Sequence, residues 1–157
     1  MLFIKVSLSG PEIIYIVPYL SLTMENCIFC DIAEKRVNAN IFYEDEDTIS
    51  FLDLSPISKG HCLIVPKKHF ENIFDIDEKA LQKIILTAKR LALRLQDRLG
   101  AKGVNILHAS GKAAQQSVPH FHIHLVPRYE NDGLDTWPKA DYEAEALEHV
   151  LAQIKDK

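Results

Sequence analysis

No apolar run in this sequence approaches the roughly 20 residues that a membrane-spanning helix takes, so a membrane partner is not expected. Cysteine is scarce. The three that occur, two of them in Cys27-Ile28-Phe29-Cys30, are too few for a disulfide framework and fit a reducing, cytoplasmic setting with a metal-binding or redox pair. Positive charge is not in excess: 18 Lys and Arg against 22 Asp and Glu leave a net charge of -4. That balance excludes a protein that wraps a nucleic-acid duplex, while leaving room for a local pocket that takes one phosphate group. Repeats, long linkers and low-complexity tracts are also missing, and 157 residues suit one domain with a full core.

What the chain does have is Ser117-Val118-Pro119-His120-Phe121-His122-Ile123-His124-Leu125-Val126-Pro127. Alternation with period two is strand patterning: His120, His122 and His124 share one face, and Phe121, Ile123 and Leu125 enter the core from the other. With 7 histidines in 157 residues, three at such fixed positions recur by chance in roughly 1% of sequences. The row can act as nucleophile and acid/base, as metal ligands, or as the solvated face of an amphipathic strand.

Other segments supply candidate partners. Cys27 and Cys30 offer two of the four ligands of a tetrahedral zinc, and His61, His69, His108 and His120 are candidates for the rest. Ile41–Glu44 and Thr48–Asp53 read as a hairpin around the acidic turn Asp45-Glu46-Asp47. Asp53 then ends a strand, where it either caps the turn before Pro56 or accepts bonds from the vicinal hydroxyls of a sugar. His61 opens the continuously apolar Cys62-Leu63-Ile64-Val65-Pro66, which suits a central strand covered on both faces. Steps of three and four through Leu81, Ile84, Ile85, Ala88, Leu91, Ala92 and Leu95 predict one long helix between Asp75 and Leu99, capped by Asp75 or Asp77. Gly103–His108 is a further strand, Ala109–Gln116 a loop returning to the histidine row, and Ala140–Ile154 a C-terminal amphipathic helix. Ser117 could donate to a phosphoryl or leaving-group oxygen, or bond its own backbone. Residues 1–23 read as an appended or misassigned start ahead of Met24, with an extra strand or a partner-contacting arm as the alternative; residues 24–157 form the domain.

His120-Phe121-His122-Ile123-His124-Leu125-Val126 matches at every place the His-φ-His-φ-His-φ-φ signature, φ being apolar, of the histidine triad (HIT) family of nucleotide hydrolases and transferases. The chain also resembles that family in Cys27-Ile28-Phe29-Cys30, Phe51-Leu52-Asp53-Leu54-Ser55-Pro56, Lys59-Gly60-His61, Val65-Pro66-Lys67-Lys68-His69 and Gln116-Ser117-Val118-Pro119, in order, over roughly residues 26 to 138.

The resemblance implies an α+β fold with an antiparallel sheet, one long and one C-terminal helix, a homodimer, and a pocket for a nucleotide. It implies that His122 attacks an α-phosphorus to make a nucleotidyl-histidine that water hydrolyses, on a nucleoside phosphoramidate or a dinucleoside polyphosphate. The alternative is a nucleotide-binding module with little turnover. By the same resemblance, His124 and His61 orient the phosphate, Ser117 assists the leaving group, and Phe29, Asp53, Leu54 and Gln116 complete the nucleotide site. Cys27, Cys30, His69 and His120 take the places that hold a structural zinc in some members; no organic cofactor is implied. A free attacking imidazole predicts a loss of turnover on acidification through roughly pH 6 to 7. Two places depart from the pattern: Ala109 stands where many members have asparagine, and Gln115 where glycine usually precedes Gln-Ser.

Overall fold

The computed structural model describes residues 2–4, 15–17, 27–136 and 147–155. Five strands form one antiparallel sheet: β3 (Ile41–Glu44), β4 (Thr48–Leu52), β5 (Cys62–Pro66), β6 (Gly103–Leu107) and β7 (Ile123–Arg128), in the order β3-β4-β5-β7-β6. A separate antiparallel pair joins β1 (Leu2–Ile4) to β2 (Tyr15–Val17) within the expected N-terminal extension. The helices are α1 (Ile28–Ala33), α2 (Glu78–Leu99) and α3 (Leu147–Ile154). This is the expected α+β fold.

Strand alternation sends the sheet's side chains into two apolar layers. On one face Cys62, Ile64, Phe121, Ile123 and Leu125 pack against Ile84, Ala88, Leu91 and Leu95 of α2. On the other, Leu63, Val65, Ile49 and Phe51 pack against Cys27, Phe29, Cys30 and Ile32 from the α1 segment. Each fully buried Ile, Leu or Phe contributes about 1.5–3 kcal/mol of transfer free energy. β5 is therefore apolar at every position because both its faces are covered, as its composition predicted.

Helix ends follow local chemistry. Asp77 is the N-cap of α2, its Oδ1 accepting from the Ala80 N–H at 2.8 Å, and Gly100 closes the helix in the left-handed region with φ 72°. Asp75, the other predicted cap, instead accepts from the Glu71 and Asn72 N–H groups and folds the preceding loop. α1 begins at Ile28, with Cys27 as its N-cap. Of the predicted C-terminal helix, residues 147–154 are helical, and residues 137–146 lie outside the described ones.

The histidine row differs most from its expectation. The β7 ladder starts only at Ile123, so His120 and His122 precede the strand. Alternation nonetheless persists through them: Phe121 joins the α2 layer while the rings of His120 and His122 lie edge-on to Phe29 on the other side. They are not a solvated face, because His120 is 0% and His122 1% exposed.

Candidate functional site

The N-terminus of α1 brings Cys27 and Cys30 against the start of the histidine row and His69, three residues past β5. His120 Nδ1 lies 3.2 Å from Cys27 Sγ and 3.5 Å from Cys30 Sγ, and His69 Nδ1 lies 3.4 Å from Cys30 Sγ. His120 Nε2 is 3.0 Å from the Pro66 carbonyl, which can only accept, so the proton sits on Nε2 and the Nδ1 lone pair faces the sulfurs. Burial, and then the neighbouring Cys27, push the Cys30 thiol up to about 12, so two thiolates here call for a cation between them. Zinc bonds of about 2.3 Å to sulfur and 2.0–2.1 Å to nitrogen put tetrahedral S···N edges at roughly 3.5 Å, so the four donors have the composition and spacing of a closed set. His61 and His108, also candidates from the sequence, are not among the converging four.

Two residues further along, the same ring chemistry is turned round. His122 Nδ1 donates to the His120 carbonyl at 2.7 Å, leaving the lone pair on Nε2. His124 has the opposite tautomer. The Ile57 N–H donates to His61 Nδ1 at 3.3 Å, so the His61 proton is on Nε2, which donates to His124 Nδ1 at 3.0 Å; the remaining His124 proton is on Nε2. A nucleophile-ready nitrogen and a hydrogen-bond donor thus stand on rings whose centroids are 5.0 Å apart. Gly60 permits the turn that delivers His61: its φ is +85°, and a Cβ there would lie 2.5 Å from Leu99 Cδ1.

Asp53 caps the turn and also faces the histidines. Its Oδ1 caps the turn by accepting from the Ser55 N–H at 2.7 Å, and its Oδ2 lies 3.6 Å from His61 Nε2 and 3.7 Å from His124 Nδ1. These three residues also converge closely enough to suggest a second metal group. The Ile57 N–H argues against that, because it holds the His61 proton on the nitrogen a metal would need. Burial lowers the pKa of all three rings, with His124 at about 4 and His122 and His61 below the usual 6.5; Asp53 opposes the shift in each. Burial thus favours the neutral form of all three rings.

Residues 34–131 match the HIT domain. The chain belongs to the HIT family. A HIT family protein of Bacillus subtilis has a crystal structure that is 36% identical, with a TM-score of 0.73 over 83% of this chain and 95% of that one. A Zn-bound histidine triad family protein from Mycobacterium smegmatis is 35% identical, with a TM-score of 0.68 over 73% of this chain and 84% of that one. The adenosine 5'-monophosphoramidase of Saccharomyces cerevisiae is 34% identical over 150 residues, which are 89% of this chain and 92% of that protein.

The remaining candidates of this HIT chain sit around the two histidine groups. Phe29 is buried, its ring centroid 5.1 Å from that of His122, so it supports the nucleophile candidate from beneath. Leu54 is 89% exposed beside Asp53, an apolar side chain free to cover a ligand. Ser117 is exposed, whereas the Gln116 amide is committed to the loop: Oε1 accepts from the Gly111 N–H, and Nε2 donates to the Glu71 and Val118 carbonyls. Gln115, at the place where glycine is usual, adopts φ 64° and so keeps a glycine-like backbone without glycine. A cavity of about 510 Å³ bounded by Lys67, Lys68, Lys79 and Lys83 shares no residue with either group; three of these lysines pair with Glu44, Asp77 and Asp47. Sequence reasoning could not see the backbone groups that set the tautomers: the carbonyls of Pro66 and His120 and the N–H of Ile57. It counted His108 only as a possible ligand, although its place at the end of a strand beside the histidine row was a signal.

Proposed function

We propose that this protein is a nucleotide hydrolase or nucleotidyl transferase acting on a nucleoside phosphoramidate or a dinucleoside polyphosphate through His122. The observation that carries the reading is the pair of opposite tautomers, a free lone pair on His122 Nε2 beside a donor on His124 Nε2. His122 Nε2 forms a bond to the α-phosphorus as the bond from phosphorus to the leaving group breaks, and the departing atom takes the electron pair. In this reading the Ser117 hydroxyl donates to that atom, and His124 Nε2–H donates to a non-bridging phosphoryl oxygen. Water then adds to the phosphorus, the P–N bond returns its electrons to His122, and a nucleoside monophosphate leaves. Asp53 and Leu54 hold the ribose and cover the base, with Phe29 beneath. Gln116 acts by shaping the loop.

Cys27, Cys30, His69 and His120 hold a structural zinc with no coordination position left for water. The edge strand β6, with Ile106 and nearby Leu93 exposed, provides the face of a homodimer. Residues 24–157 form the functional unit, and three buried cysteines outside any disulfide suit a reducing cytoplasm.

A second reading, a nucleotide-binding module with little turnover, is favoured by the burial of His122, which at 1% exposure presents almost no surface to a ligand. Incubating the zinc-loaded protein with adenosine 5'-phosphoramidate, quenching within one turnover and measuring intact mass separates the two. An adenylyl adduct on the parent, absent from His122→Ala, supports the enzyme; tight AMP binding without adduct or turnover supports the module.

A further inference from the structure

His108 stands one residue beyond the end of β6, whose last ladder partner is His124. Its ring stacks on Phe121, with centroids 4.2 Å apart and planes at 26°. Its Nδ1 lies 2.7 Å from the His122 carbonyl and its Nε2 2.6 Å from Ser110 Oγ. Since a carbonyl only accepts, Nδ1 carries the proton, and Nε2 must accept from the Ser110 hydroxyl. Ser110 Oγ in turn accepts from the Ile73 N–H at 2.9 Å. Every donor and acceptor along Ile73, Ser110, His108 and the His122 carbonyl therefore points the same way.

The location of this chain of bonds matters more than its strength. His120 and His122 precede the β7 strand, and an imidazole bonds the carbonyl of each: His122 Nδ1–H on the His120 carbonyl and His108 Nδ1–H on the His122 carbonyl. The first bond sets the lone pair of His122; the second fixes the backbone from which that ring hangs. A displacement of about 1 Å at a reacting atom can cost on the order of 100-fold in rate.

We infer that His108, anchored by Ser110, is a positioning residue that aims His122 Nε2 at the substrate phosphorus without touching substrate. This rests on His122 being the nucleophile. His108→Leu keeps an apolar side chain against Phe121 but removes the donor, and His108→Asn restores a donor near the Nδ1 position. With zinc-loaded protein and adenosine 5'-phosphoramidate, His108→Leu is expected to form the adduct about 10- to 100-fold more slowly while the Kd for AMP stays within about threefold, and His108→Asn to recover most of the loss. An adduct rate equal to the parent's in His108→Leu overturns the inference. So does a parallel loss of rate and AMP affinity that His108→Asn fails to repair, which is what a merely structural role gives. If the parent forms no adduct, the catalytic reading fails on its own, and nitrogen NMR of the imidazoles decides the positioning claim. A single Nδ1–H tautomer of His122 in the parent that becomes mixed in His108→Leu supports it, and an unchanged tautomer overturns it.

Discussion

His120 and His122 are two residues apart, both buried, and both bonded to a backbone carbonyl, yet the structure fits them for opposite work. In His120 the Pro66 carbonyl takes the Nε2 proton and turns Nδ1 toward two sulfurs; in His122 the His120 carbonyl takes the Nδ1 proton and leaves Nε2 bare. A neutral imidazole has one donor and one acceptor, so the position of one carbonyl decides which nitrogen can bind or attack. The difference lies in the acceptor each ring meets.

Removing one ring or one thiol should separate the two roles. His122→Ala is expected to lower turnover by at least about 10³-fold while zinc stays at one per chain by metal analysis. Turnover near the parental level would give both histidines the same structural status. Cys30→Ala, or strong chelation, should instead lower the thermal midpoint by about 10 °C or more, read by calorimetry, as a structural metal is lost. An unchanged midpoint would mean that the four converging side chains hold nothing.

Acid sharpens the contrast further. Burial, the leading influence, holds the His122 pKa below 6.5 against its carbonyl bond and Asp53, which raise it. The neutral ring therefore survives as pH falls through 6.5, and kcat/KM should decline only below that value. A midpoint above 6.5 would mean that another group titrates. The smallest expected effect belongs to the loop between the regions: Gln115 occupies a left-handed backbone position, so Gln115→Gly should raise stability by up to about 1 kcal/mol in urea unfolding. A net loss would show that the Gln115 side chain holds the loop.

Much of this was legible in the residues themselves. Short apolar runs, alternating at the histidine row and continuous at β5, located strands of the main sheet, and the apolar steps of α2 located the long helix, because burial imposes those patterns. The histidine alternation was right about faces but left a solvated row open among its readings, since periodicity reports direction and cannot tell that Phe29 and α1 cover the face it names. Asp75 and Asp77 were indistinguishable as caps until the loop at 71–76 claimed the first. The tautomers were invisible, because they depend on carbonyls that every residue carries and only the fold places.

Position 120 contributes twice, offering its ring to the sulfurs and its carbonyl to the neighbouring nucleophile candidate. A substitution that shifts the backbone at position 120 moves that carbonyl as well, so damage on the sulfur side is conveyed to the ring of His122. A screen of substitutions there should show losses of metal and of catalysis that rise and fall together.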